Sequence, residues 1–280
     1  FPTLADTDIP EVLPTGICTY EHVVANVPHD EIVQKSVEVR GLKVSVSSID
    51  IPLSFGPAYE GERVRGADLY AQTGGGKSQC TELCKMAEMN EIDDAKVEII
   101  GPDIGDLKEG DTFPLGIYAQ VAGREFQTDF EPIIERQIHH LINYIQGIMH
   151  IGQRDISWIR VSKAAVEKGF TLKDIGVVLH AKFHQDFGSI LDKVQITLYT
   201  QKKDVDALTK RARAEYKMRD ERVEKMTDED VETYYSCTLC QSFAPNHVCT
   251  VSPERTGLCG AYNWMDCKAS FEINPTGPNQ

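Results

Sequence analysis

The chain has 280 residues, 41% hydrophobic and 26% charged, enough apolar material for one large domain or two ordinary ones. A formal net charge of -14 excludes a general affinity for nucleic acid or anionic membrane, because both need a positive field. No apolar run approaches the roughly 18 residues that a membrane helix requires, and the opening FPTLADTDIPEVL has neither the basic nor the apolar region of a signal peptide. The chain is read as cytoplasmic.

Phe1 is not an initiator methionine and the last residues, NPTGPNQ, read as a loop that leads nowhere, so a piece of a longer polypeptide is expected. Eight cysteines in a chain with no export signal favour thiolate–metal chemistry over disulfides, and five of them fall between Cys237 and Cys267.

In chain order, residues 37–55 read as strand material, with Leu42, Val44 and Val46 alternating before Ile49 and Ile51. Glycines 74, 75 and 76 form a loop, expected to lead into a short helix that ends near Asn90 and carries Cys80 and Cys84. Val97, Ile99 and Ile100 predict a strand, and FPLGIYAQVAG another. Over 132–149, Ile134, Ile138, Leu141, Ile145 and Ile148 recur at intervals of three and four, one face of an amphipathic helix with Pro132 in its first turn. Thr171 and Asp174 have the spacing of a capping box for a helix with Ile175, Leu179, Phe183 and Phe187. Val194, Ile196 and Leu198 alternate as a strand. Residues 204–226 then form a highly charged helix with a narrow apolar stripe of Val205, Leu208, Ala212, Tyr216, Val223 and Met226. Strands interleaved with helices predict a mixed α/β (α+β) fold: a mixed-sheet domain over 44–203, a helical connector over 204–230 and a Cys-rich segment from 231.

That segment, CTLCQSFAPNHVCTVSPERTGLC, places Cys237, Cys240, Cys249 and Cys259 in a C-x2-C-x8-C-x9-C array. Four soft thiolates this close suit zinc or an iron–sulfur cluster, and the spread of the second pair leans away from paired zinc knuckles toward iron–sulfur. Cys267 is expected to be a buried small hydrophobe. AQTGGGKS at 71–78 mimics a phosphate-binding loop, but Ala71 replaces its first glycine and GADLY is a poor strand, so no nucleotide site is expected. His180 and His184 stand four apart on a helix, a spacing that can chelate, but they, like His139 and His140, are expected to be ordinary surface or core histidines, and His247 is expected to be structural.

SCTLCQSFAPNHVC followed by PERTGLCGA resembles the cluster-binding motif of the acetyl-CoA synthases of the anaerobic CO dehydrogenase/acetyl-CoA synthase complex. GPAYEGERVRG, MHIGQRDISWIRVSKAA and YKMRDERVEKMTDEDVETYYSC are similar to that family too. The resemblance implies that residues 1–43 are the tail of a preceding domain and that 231–280 open the cluster domain. It also implies that the four array cysteines hold a 4Fe-4S cluster, with Cys240 bridging to nickel. Phe243 would close over the open nickel position or pack as a core aromatic beside the cluster. The implied reaction makes acetyl-CoA from a corrinoid-bound methyl group, carbon monoxide and coenzyme A, with a CO dehydrogenase subunit and a corrinoid iron–sulfur protein as partners. The family completes its dinickel site with a later Cys-Gly-Cys tripeptide; this chain has none, and Cys259-Gly260-Ala261 is its nearest string. For coenzyme A, Arg154, Trp158, Arg160 and Lys163 offer phosphate-binding charge and an aromatic face for adenine.

Overall fold

Two four-stranded sheets carry the chain from residue 69 to residue 199. The computed structural model describes residues 49–56, 59–60, 62–124, 126–154, 156–242 and 246–280, and residues 50–280 make up one compact unit. The first sheet has the order β4-β1-β7-β6, built from β1 (Leu69–Gly74), β4 (Asp111–Thr112), β6 (Ile148–Gln153) and β7 (Ile156–Ser162). Only its β1/β4 pair is parallel. The second has the order β2-β5-β8-β3, from β2 (Cys80–Met86), β3 (Val97–Ile100), β5 (Leu115–Ala122) and β8 (Lys193–Tyr199). In it β2/β5 and β3/β8 are parallel and β5/β8 antiparallel, so the architecture is the expected mixed α/β.

The helices α1 (Glu131–Asn143), α2 (Lys163–Glu167), α3 (Leu172–Phe187), α4 (Lys202–Glu221) and α5 (Trp264–Ile273) alternate with or follow these strands. α3 begins with the expected capping box, the Thr171 N–H donating to Asp174 Oδ2 at 2.7 Å. α3 and α4 cover opposite faces of the second sheet: Val97 faces Gly176 of α3, while Leu83 and Tyr118 pack with Leu208, Ala212 and Tyr216 of α4. β5 is therefore buried on both faces, and apart from the half-buried Gln120 its side chains form an apolar run rather than an alternating one.

Three expectations change. The stretch after the glycine loop is strand β2, not a helix; Cys80 and Cys84 are buried in it, and a doubly covered strand shows no period-two signal to set against a helical one. The 132–149 helix ends at Asn143, and Gly147 at φ +80° turns the chain into β6; Ile145 and Ile148 stay fully buried in the new direction and so imitate another helical turn. Of the 37–55 strand, residues 37–48 lie outside the described residues, and 49–55 make only one bridge, Phe55 to Ile145.

β2 is an edge strand, yet its outward backbone groups are occupied. Cys84 N donates to Glu135 Oε2 at 2.9 Å and Met86 N to Glu131 Oε1 at 2.8 Å, both from α1. The Glu82 carbonyl accepts from Tyr216 Oη at 2.7 Å and the Cys84 carbonyl from Arg219 Nη2 at 3.3 Å, both from α4. Side chains thus do what a neighbouring strand would do. The carboxylates are held in turn: Arg219 pairs with Glu135 through both nitrogens, at 3.0 and 3.2 Å, and Lys85 pairs with Glu131 at 2.9 Å.

Candidate metal centre

The C-terminal end of α4 anchors the cysteine segment. Asn263 Nδ2 donates to the Arg219 carbonyl at 2.9 Å, and Arg222 reaches Asp129 and, at 3.1 Å, Asp266. Beyond this anchor β9 (Tyr235–Cys237) and β10 (Cys249–Val251) pair antiparallel, with Cys237 directly opposite Cys249. A single 3-10 turn, Leu239–Ser242, brings Cys240 round to them. Cys259 arrives on a loop closed by Gly260 N to the Gly257 carbonyl, 2.8 Å, and by Gly257 N to the Tyr262 carbonyl, 2.9 Å. Asn263 then caps α5 in a reciprocal box with Asp266.

The result is that all four array cysteines line one small cavity, with Arg136, His247 and Tyr262 among its other walls. All are free thiols. Donors converge on their sulfurs: Arg136 Nη2 stands 3.8 Å from Cys240 Sγ, His247 Nε2 3.2 Å from Cys249 Sγ, and Ala261 N 3.4 Å from Cys259 Sγ. Burial, joined by charge on the other three array sulfurs, pushes the Cys237 thiol up to about 11, against one backbone N–H from Leu239. Four thiolates in this space repel one another unless a cation sits among them. Cys240, unlike Cys237, is held below the usual thiol value first by His140, then by Arg136, against its burial.

The donor set, four free thiols around one cavity, therefore fits a metal group. Elsewhere among the described residues, the ligand atoms of Asp94, His180 and His184 lie mutually within 4.8 Å. Cys267 is fully buried in α5 and accepts from Asn279 Nδ2, a packed thiol as expected.

Arg136 and His140 come from α1, about a hundred residues before the cysteines, and nothing in the sequence near the array points to them. His140 Nδ1 is fixed by Glu60 Oε1 at 2.9 Å; His139 meets buried His150 edge to face, ring centroids 4.2 Å apart, and His150 contacts Glu82. Phe243 lies outside the described residues.

The coenzyme A candidates separate into three places. Trp158 and Arg160, two apart on β7, share Gln72 Oε1 as acceptor at 3.3 and 3.2 Å, with the guanidinium 4.4 Å over the indole. Gly75 at φ +63° lies against the indole, where a Cβ would meet Trp158 Cδ1 at 2.7 Å; the glycine loop is a seat for this ring between two strands. Lys163 pairs with Glu109 and lines a cleft of about 350 Å³ with Arg63, Lys168 and three carboxylates. Arg154 stands apart: it binds Asp220 of α4 through two nitrogens, at 2.7 and 3.1 Å, lies 5.1 Å over Tyr216, and its N–H donates to the Cys259 carbonyl at 3.2 Å. It ties the first sheet to the cysteine loop.

This four-thiol centre on a mixed α/β scaffold is found in a protein that matches the family described as CO dehydrogenase/acetyl-CoA synthase complex beta subunit over residues 51–205, and the family of the C-terminal part of the ACS/CODH beta subunit over 216–280; the chain belongs to that family. Among its relatives, the carbon monoxide dehydrogenase/acetyl-CoA synthase subunit alpha of Moorella thermoacetica is 48% identical over 282 residues, which cover all of this chain and 38% of the relative. The acetyl-CoA decarbonylase/synthase complex subunit beta of Methanopyrus kandleri is 44% identical over 232 residues, 83% of this chain and 50% of the relative. Subunit beta 1 of the same complex in Methanocaldococcus jannaschii is 43% identical over 249 residues, 89% of this chain and 33% of the relative. The chain thus spans half or less of the length of these three relatives. No helix among the described residues is long and apolar enough to cross a membrane.

Proposed function

We propose that Cys237, Cys240, Cys249 and Cys259 hold a 4Fe-4S cluster, and that the chain supplies the iron–sulfur half of the nickel centre of an acetyl-CoA synthase. The substrates proposed are a methyl group borne by a corrinoid protein, carbon monoxide from a CO dehydrogenase subunit, and coenzyme A. The observation that carries this reading is the convergence of the four thiols, from two strands, a turn and a loop, on one cavity. When bound, such a centre supplies thiolate-rich, low-valent nickel as template and Lewis acid for joining the two carbon groups.

This chain's residues prepare that site. His140 and Arg136 favour the thiolate of Cys240, the sulfur to which the bridging role is assigned. Donors to the sulfurs of Cys249 and Cys259 offset the charge that a reduced cluster would carry. Trp158 and Arg160, with Lys163 on the neighbouring helix α2, are the proposed contacts for coenzyme A; Arg154 is proposed to reach it only as the tie between that sheet and the cluster loop. Phe243 is proposed to shield the open metal position. No Cys-Gly-Cys occurs in the 280 residues, so the remaining nickel thiolates are proposed to come from sequence outside them.

The test is iron, sulfide, nickel and zinc analysis after anaerobic reconstitution of the chain and of five single Cys→Ser variants. Four irons and four sulfides are expected in the parent, a sharp loss of both at positions 237, 240, 249 and 259, and none at 267. Equal iron in all five variants refutes the ligand set, and one zinc with no sulfide makes the centre a zinc staple instead.

A further inference from the structure

We propose that Asp94, His180 and His184 form a second metal site, unrelated to the cysteine centre, which takes one divalent first-row transition ion of the zinc class. The two histidines are four apart on α3, so their rings project from one face of the helix, one turn apart, with centroids 4.7 Å from each other. Asp94 sits in the connection between β2 and β3, some ninety residues earlier, and its Oδ1 lies 3.1 Å from His180 Nε2 and 2.7 Å from His184 Nε2.

Two features set this apart from an ordinary ion pair. First, the same Oδ1 also accepts the Val194 N–H at 3.0 Å, so three nitrogens crowd one oxygen that offers about two lone pairs. A metal ion relieves the crowding, because each imidazole then presents a lone pair to the ion instead of a proton to the carboxylate. Second, the spacing is close to that of coordination. With bonds of about 2.0–2.2 Å from a metal to imidazole nitrogen and carboxylate oxygen, ligand atoms on adjacent vertices stand about 3.0 Å apart in an octahedron and about 3.4 Å apart in a tetrahedron. The 3.1 Å separation to His180 lies in that range, and the 2.7 Å separation to His184 opens by a few tenths of an ångström to reach it.

The carboxylate is ready for a cation without a change of protonation. Its pKa falls to about 2: burial alone would raise it, and the Val194 N–H followed by the two histidines outweighs that. Val194 N acts as the outer partner that orients a ligating carboxylate. All three side chains remain partly open to solvent, at 42, 24 and 28%, so an ion can enter and water can fill its other positions. Two imidazoles and one carboxylate favour zinc, cobalt or nickel over calcium or magnesium. Bound there, the ion would link α3 to the β2–β3 connection at the start of β8, stapling a helix to the sheet it covers.

The experiment is zinc binding to the anaerobically reconstituted full chain, compared with His180→Gln, His184→Gln and Asp94→Asn. Glutamine keeps a donor for Asp94 but lacks the ring nitrogen, so a role in hydrogen bonding alone survives the exchange. Zinc held by the cysteine array is common to all four proteins and cancels in the difference. The parent is expected to bind one more equivalent of zinc than each variant, or to bind it at least the roughly 10–100-fold more tightly that even an outer-shell partner is worth. Its thermal midpoint should rise with zinc where those of the variants do not. The cobalt difference spectrum, parent minus His184→Gln, should show visible ligand-field bands without sulfur-to-cobalt charge transfer. Equal zinc stoichiometry and affinity in the parent and the glutamine variants, or a difference spectrum dominated by thiolate bands, would overturn the site. Should Asp94→Asn unfold, the two histidine variants decide the matter by themselves.

Discussion

Replacing Arg219 by Met tests whether the edge of β2 depends on a charge held inside the protein. Arg219 and Glu135 are nearly inaccessible, with 7 and 8% of their side chains exposed. Burial raises the Glu135 pKa and Arg219 opposes that rise, while the arginine, surrounded by Glu135 and Glu131, holds its proton more firmly than usual despite its own burial. Methionine fills much of the volume but strands the Glu135 carboxylate, and breaking a buried pair on one side costs about 3–5 kcal/mol. Lys85 still serves Glu131, so the loss falls chiefly on Glu135. For a domain of this size that is a fall of roughly 10 °C in melting temperature. Adding Glu135→Gln removes the stranded charge while keeping an acceptor for Cys84 N–H. Only the unpartnered Cys84 carbonyl remains, about 1–3 kcal/mol, so the double variant should be the more stable of the two. The sign with pH follows. In Arg219→Met the folded state holds a proton on Glu135 at pH values where the unfolded chain has released it, so the deficit should shrink from pH 8 toward pH 5. Urea melts of the parent, both single variants and the double variant at the two pH values give the cycle. A cost below about 1 kcal/mol for Arg219→Met, or a double variant less stable than it, would refute the reasoning.

Two other outcomes are expected. Burial raises Asp266 to about 6, against the Asn263 N–H and Arg222, so between about pH 4 and 6 the folded state holds a proton that the unfolded chain releases. That contribution is complete below the unfolded value and is lost as pH rises through 6, on the order of 3 kcal/mol; Asp266→Asn should flatten this slope in urea melts, and an unchanged slope would show the carboxyl to be ordinary. Coenzyme A titrated into Trp264→Phe, where Trp158 is the remaining tryptophan, should change the fluorescence, and titrated into Trp158→Phe it should not; silence in both would remove Trp158 from the proposed docking site.

Much of this was legible because the signals were local. The Thr171–Asp174 box appears where the spacing puts it, and the apolar stripe of α4 holds from Val205 to Tyr216, although the helix closes at Glu221 and leaves Val223 and Met226 beyond it. The four cysteines span twenty-three residues, so their convergence needed only a hairpin and two turns. Other features were hidden for physical reasons. β2 is covered on both faces and follows a glycine loop, which erased its period, and Ile145 and Ile148 stayed buried after their helix had ended. His180 and His184 had the chelating interval, but Asp94 reaches them through tertiary folding that no local pattern records. Arg136 and His140 likewise read as two more polar residues on an amphipathic helix until the fold sets them against Cys240.

The side-chain cover on β2 also bears on the order of events during synthesis. Glu131 and Glu135 close part of that edge some fifty residues after the strand has been made, but Tyr216 and Arg219 follow only after about 130. Until α4 has left the ribosome, the second sheet keeps two outward carbonyls and the apolar faces of Leu83 and Tyr118 uncovered. Contacts this distant in sequence slow folding and leave an intermediate open to pairing with other chains. The two family matches end at 205 and resume at 216, both inside α4. A polypeptide stopped at that seam would carry the sheet without its lid, and it would be expected to aggregate rather than to behave as half of a protein.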